Sequence, residues 1–131
     1  MKHVLIGGNG FLGRETVRQI LERGGAEIVV VDLPESFVKF PKVTNPRVTY
    51  VEADIAAPGA LDGIALQPED VVHHQATKLI IPNQPRFGRD AFFRLCAVDG
   101  TREVLAWMKR QGNRNLIFWS TDVVYGPAIQ I

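Results

Sequence analysis

The strongest pattern in the chain is an alternation of short apolar runs with longer amphipathic stretches. Val4-Leu5-Ile6 is uninterrupted by polar residues and stops at Gly7-Gly8-Asn9-Gly10. From Phe11 the spacing becomes helical, with Thr16, Val17, Ile20 and Leu21 on one face, Arg14, Glu15, Arg18, Glu22 and Arg23 on the other, and Gly24-Gly25 as the stop. A buried strand turning sharply into a helix is the expected result. Glu27 to Asp32 is a β-branched run and predicts a second strand. The segment LPESFVKFPKVTNP carries three prolines and mixed polarity, which predicts a connection without regular structure. Arg47 to Val51 predicts a third strand, ended by Glu52-Ala53-Asp54, and Pro58 can open a short helix through Ala60 and Leu61 despite Gly59 and Gly63. Glu69 to His74 predicts a fourth strand, short and buried, followed by a loop, TKLIIPNQPRFG, broken by Pro82 and Pro85. From about Arg89 to Arg110 runs the longest helical stretch, with Phe92, Leu95, Cys96, Val98, Leu105 and Met108 available for burial and Gly112-Asn113 as its stop. Asn115 to Trp119 predicts a fifth strand, with Ser120-Thr121-Asp122 at its carboxyl end.

Strands alternating with helices predict an α/β fold with a parallel sheet. Right-handed crossovers restrict it to a Rossmann-type doubly wound order, 3-2-1-4-5. Ligands of such sheets sit beyond the carboxyl ends of the strands, near the switch between strands 1 and 4. Gly7 to Gly13, Asp32, Asp54, His73 to Lys78 and Ser120 to Asp122 all fall at that edge.

The glycines at 7, 10 and 13 suit three different jobs: a tight turn, close approach of a phosphate to bare backbone, and close packing of helix on strand. They aim a helix N-terminus, with unpaired N–H groups and a positive dipole end, at a pyrophosphate. Asp32 closes the next strand about twenty residues on, as a dinucleotide fingerprint requires. Its carboxylate can accept two ribose hydroxyls and repels a 2′-phosphate, which favours NAD over NADP; the plainer reading is a strand end before Pro34. Asp54 is equally suited to forming a turn; His73, within a strand and without a carboxylate partner in sequence, reads as a structural buried histidine rather than a base, Lys78 can be a solvated loop lysine, Cys96 is most simply core, and His74 points to the opposite face from His73.

Composition narrows the field. The chain of 131 residues is expected to be one domain, and 15 basic against 14 acidic residues give a net charge of +1, which offers no nucleic-acid surface. Lys2-His3 precedes only three strongly apolar residues, too few for a signal peptide, and no run approaches a membrane span. The single Cys96 excludes an internal disulfide and lacks partners at zinc spacing, so no metal is expected. A cytoplasmic location follows as the expectation.

With GGNGFLG at 7–13, Asp32, Asp54-Ile55, VVHHQA at 71–76, VDGT at 98–101 and STDVVYG at 120–126, the chain resembles the extended short-chain dehydrogenase/reductase family, the NAD-dependent epimerase/dehydratase group that acts largely on nucleotide sugars. The resemblance implies a cofactor-binding turn of Gly7, Asn9, Gly10, Phe11, Leu12 and Gly13, with Asp32 on the adenosine ribose and Asp54 and Ile55 beside the adenine. It places Gln75, Ala76 and Lys78 along the cofactor, the last two near its middle and the nicotinamide ribose. Thr121 falls on the catalytic Ser/Thr that hydrogen-bonds the substrate hydroxyl being oxidised.

The chain departs from the family pattern in four respects. Ala97 replaces an Asn before the V-x-G-T motif, Gln75 stands for the first of two alanines after strand 4, and Val123 stands where the sugar 4,6-dehydratases carry an acid, which disfavours that reaction. The family also uses a Tyr with a Lys four residues later, the Lys lowering the pKa of the phenol that takes the hydroxyl proton. Four beyond Tyr50 is Asp54 and four beyond Tyr125 is Ile129, so neither fits, and Tyr125 reads as the packing Tyr of the VYG turn. The chain is therefore expected to be the NAD-binding portion of an epimerase/dehydratase-type oxidoreductase, without the substrate lobe and without turnover alone. The alternatives are a non-catalytic dinucleotide-binding sensor or scaffold, and a partner chain that supplies the Tyr-Lys pair. The expected sheet stops after strand 5, whose unpaired edge leads to the expectation of a homo-oligomer.

Overall fold

The apolar runs fold as strands and the amphipathic stretches as helices in the computed structural model, which describes residues 1–78 and 87–126. The order is β1 (Lys2–Ile6), α1 (Phe11–Arg23), β2 (Glu27–Asp32), α2 (Pro34–Lys39), β3 (Val48–Glu52), β4 (Val71–His74), α3 (Arg89–Arg94), a π-helical segment (Leu95–Gly100), α4 (Thr101–Arg110), β5 (Leu116–Phe118) and a 3₁₀ turn (Asp122–Tyr125). The five strands form one parallel sheet in the order β3-β2-β1-β4-β5, as the alternation of elements predicts. In register, Ile6 of β1 lies between Val31 of β2 and His74 of β4, so the carboxyl ends of the three central strands finish together.

Both faces of the sheet are covered, which is why its strands read as continuous apolar runs. Val4, Ile6, Val31 and Val72 point one way and pack with Val104, Trp107 and Met108 of α4. Leu5, Ile28 and Val30 point the other way, against Val17, Ile20 and Leu21 of α1 and Phe37 of α2. The period of two along each strand delivers alternate residues to the two layers.

Three expectations need correction. Residues 34–39, expected as irregular, form α2: Leu33 is extended at its N-cap, Pro34 supplies the preset first helical φ, Glu35 lies in the first turn and Lys39 in the last. The short helix expected from Pro58 is instead a series of tight turns, with Ala60, Asp62 and Ile64 donating to the carbonyls of Ala57, Gly59 and Leu61. Gly59, at φ +76°, breaks any helical run there. The long helix is interrupted by the π-helical segment: Cys96, Val104, Trp107 and Met108 are buried, whereas Phe92, Leu95 and Leu105, also expected in the core, are 39%, 50% and 48% exposed. β3 is displaced by one residue, while β4 and β5 are shorter than expected. The loop expected over 77–88 lies partly outside the described residues.

The two adjacent histidines of β4 are held on opposite faces. His74 Nε2 lies 2.8 Å from Thr101 Oγ1, and its ring meets Phe118 edge-on. His73 Nε2 lies 2.9 Å from Nδ1 of His3, across the β1–β4 pair. Burial, and secondarily the charge His3 can carry, lower the pKa of His73 from 6.5 to about 4, and burial lowers those of His3 and His74 as well.

Two outcomes follow. Trp107, fully buried with its indole N–H donating to the Ile64 carbonyl, is the largest such side chain, so Trp107→Ala is expected to cost about 3–5 kcal/mol in urea unfolding. Between about 6.5 and about 4 the unfolded chain binds protons that folded His73 refuses, so the contribution of His73 is constant above that window and lowers stability as pH drops through it. Unfolding curves across this range should show that loss, and a shallower slope for His73→Gln.

Candidate functional site

The turn after β1 is tied to β2, because the amides of Gly7 and Gly8 both donate to the Val31 carbonyl. Gly7 has φ +79°, and a Cβ there would lie 2.7 Å from Cα of Ala76, so the turn rests directly on the chain leaving β4. A Cβ on Gly13 would lie 2.5 Å from the Gly8 carbonyl carbon and oxygen, so α1 can start this close to β1 only with glycine at 13. Gly10 caps the helix in an extended conformation, and its carbonyl accepts from the Arg14 amide. The amides of Phe11, Leu12 and Gly13 precede that bond and have no intrahelical acceptor. No acidic residue occupies the first turn, leaving the positive end of the helix dipole uncompensated. The Phe11 side chain is 83% exposed.

The Asp32 carboxylate is fixed at the end of β2: Oδ2 accepts the Asn9 amide at 2.9 Å and Oδ1 the Leu33 amide at 2.8 Å. Each oxygen keeps accepting capacity for a further donor. Asn9 is only 3% exposed, and its side-chain amide donates to the carbonyls of Ser36 and Phe40 at 3.0 and 2.9 Å. Asn9 thus joins the glycine turn to α2 and brings Ser36 to the cleft wall. The Arg14 guanidinium lies 3.8 Å from the Phe40 ring centroid and closes this corner from outside.

Beyond the carboxyl ends of the strands lies a cleft of about 600 Å³. Gly7, Gly10, Phe11, Leu12 and Gly13 line its floor, Asp32 and Ser36 one side, and Asp54 and Ile55 the far end. Gln75, Ala76 and Lys78, on the chain leaving β4, line it as well, together with Phe92 of α3 and Leu95 and Cys96 of the π-helical segment. Asp54 also makes a turn, its Oδ1 accepting the Ala56 amide, so the residue performs the local task and borders the cleft. Ile55 is buried against Gly100, where a Cβ would come within 2.9 Å of it. The Lys78 ammonium lies 5.2 Å from the Phe92 ring centroid. Cys96 belongs both to the core and to the cleft, and burial raises its thiol pKa.

Two expected site residues are not on the cleft wall. Asn9 works from behind the turn, and Thr121 is exposed beyond β5, its hydroxyl donating to Asp122 Oδ1 at 3.2 Å. Tyr125, expected to pack, is 89% exposed. Ser36 and Phe92 were not anticipated as cleft residues; the Pro34-Glu35 helix start was the available signal for Ser36. Among the described residues no cluster of three or more His, Cys, Asp or Glu could hold a metal ion, and no helix is long and apolar enough to cross a membrane.

Residues 3–131 match the family model Epimerase, described as the NAD dependent epimerase/dehydratase family. Human UDP-glucose 4-epimerase is 29% identical over 137 residues, covering 95% of this chain and 38% of its own. Human sterol-4-alpha-carboxylate 3-dehydrogenase, decarboxylating, is 31% identical over 127 residues, covering 97% of this chain and 31% of its own. A crystal structure of UDP-galactose 4-epimerase superposes with a TM-score of 0.74 at 29% identity, over 100% of this chain and 42% of that one. The chain thus spans about two fifths or less of the length of these relatives. On the extent of the family match, joined to a parallel sheet whose central strands end at one glycine-floored cleft, the chain belongs to the NAD dependent epimerase/dehydratase family.

Proposed function

We propose that the cleft binds NAD and that the chain is the dinucleotide-binding part of an oxidoreductase acting on a nucleotide sugar or related hydroxyl compound. The observation that carries this is the pairing of unpartnered first-turn amides of α1 with a carboxylate, Asp32, already oriented by two backbone donors. The pyrophosphate would lie over Gly10 to Gly13, the adenosine ribose on Asp32 and the adenine between Asp54 and Ile55. The nicotinamide end would lie along Ala76 and Lys78. The fixed charge of Asp32 opposes a 2′-phosphate, which supports NAD over NADP. The bound nicotinamide supplies a hydride acceptor; Thr121, at the same sheet edge, would hydrogen-bond the hydroxyl being oxidised. The similarity to UDP-sugar epimerases supports a nucleotide sugar as substrate class.

Among the described residues, no tyrosine lines the cleft to take the proton from that hydroxyl. The Tyr50 hydroxyl is engaged elsewhere, accepting the Val43 amide at 3.1 Å, and no lysine stands four residues beyond either tyrosine. By itself the chain is proposed to bind NAD without turnover. The same observation favours a second reading, a dinucleotide-binding sensor or scaffold. Product analysis of a panel of nucleotide sugars incubated with NAD and the full-length gene product separates the two, because an epimerase returns the hydride and leaves no net NADH: a converted sugar supports the enzyme, and no conversion beside retained NAD binding the module.

Calorimetry with NAD and NADP tests the shared binding claim. Asp32→Ala is expected to weaken NAD by roughly ten- to hundredfold, the worth of hydrogen bonds to a charged acceptor, and to narrow the preference over NADP. Unchanged selectivity would count against the ribose assignment. Gly13→Ala, which forces a Cβ against the Gly8 backbone, should lower stability by about 1–3 kcal/mol and weaken NAD at least tenfold in the same titration.

A further inference from the structure

The first helix is attached to the two halves of the sheet by different means. On the β2–β3 side, Val17, Ile20 and Leu21 pack into the core, and the Arg47 guanidinium donates to the Leu21 carbonyl at 2.8 Å. On the β4 side, the side-chain hydrogen bond that reaches it, among the described residues, comes from Gln75, whose Nε2 donates to Thr16 Oγ1 at 3.1 Å. The orientation of this amide is determined by chemistry. Thr16 gives its one hydroxyl hydrogen to the Leu12 carbonyl, at 2.9 Å, so towards Gln75 it can only accept. Gln75 is itself anchored, its backbone amide donating to the Ile6 carbonyl at 2.8 Å, and the Gln75-Ala76 backbone supports Gly7. A continuous line of bonds therefore runs from the end of β1 through Gln75 and Thr16 to Leu12, in the turn of α1 that faces the cleft.

We propose that Gln75 is a positioning residue for the dinucleotide site, which holds the N-terminus of α1 at a fixed distance from the segment leaving β4. This rests on the reading that the cleft takes NAD. One ligand must touch the α1 amides with its diphosphate and Ala76 to Lys78 with its far end, so the spacing between those elements sets how well both contacts are made at once. An alanine at position 75 would leave that spacing to the backbone contact of Gly7 with Ala76 and to the apolar contacts that hold α1 on the β2–β3 side. Ligands confined to the adenosine end, at Asp32, Asp54 and Ile55, do not depend on it.

Titrations of the intact protein and its variants with NAD, by calorimetry, and with adenosine, by NMR shift perturbation, test this. Gln75→Ala and Thr16→Val should each weaken NAD about five- to tenfold, the effect of one hydrogen bond, and the double variant should be no weaker than either. Thr16→Ser, which keeps the hydroxyl, should bind NAD as wild type does, and adenosine binding should stay within about twofold throughout, since no contact at that end changes. Unchanged NAD affinity in Gln75→Ala, full additivity in the double variant, or an equal loss for adenosine would overturn the proposal while leaving the NAD reading intact. A wild-type protein that binds no NAD would overturn both.

Discussion

The contact on which the rest depends is backbone against backbone: α1 begins so close to β1 that Gly13 lies directly on the Gly8 carbonyl. No side chain could be inserted there without displacing one element from the other. The closeness turns a helix terminus into a cleft floor, because it brings the unbonded first-turn amides to the line where β1, β2 and β4 end. The same economy recurs at Gly7 on Ala76 and at Gly100 on Ile55. In all three, a missing Cβ lets two segments on the cleft boundary meet.

Around that floor the polar groups are arranged so that few act alone. Asp32 is oriented by the Asn9 amide, the Asn9 side chain secures α2, and α2 delivers Ser36 to the cleft. A change at Asn9 would be felt at the carboxylate and at the wall together, although its side chain does not line the cleft. Burying a primary amide as deeply as that of Asn9 is tolerated because both of its hydrogens are used.

The histidines show the opposite use of burial. His73 and His74 immediately precede the cleft segment, yet one faces His3 and the other Thr101, and burial keeps both toward the neutral form. They therefore read as part of the sheet's packing rather than of the site. The cleft is lined instead by Asp32, the glycine turn and the segment from Gln75 to Lys78, in a chain of a family described as NAD dependent.

Much of this was legible in the amino-acid order alone. Apolar runs and their spacing determined five parallel strands and their sequence in the sheet. The glycines at 7, 10 and 13 and the acid at 32 located the cleft, because backbone conformation and close approach are properties of a residue and its neighbours. What only the tertiary structure decided was which distant group each polar side chain meets. That Asn9 reaches Ser36 and Phe40, that Gln75 reaches Thr16, that the long helix widens before Thr101 and that Cys96 serves core and cleft together are not periodic properties. Hydrophobic spacing records which face of an element is buried; a hydrogen bond between residues 59 apart depends on how the elements are then set against one another.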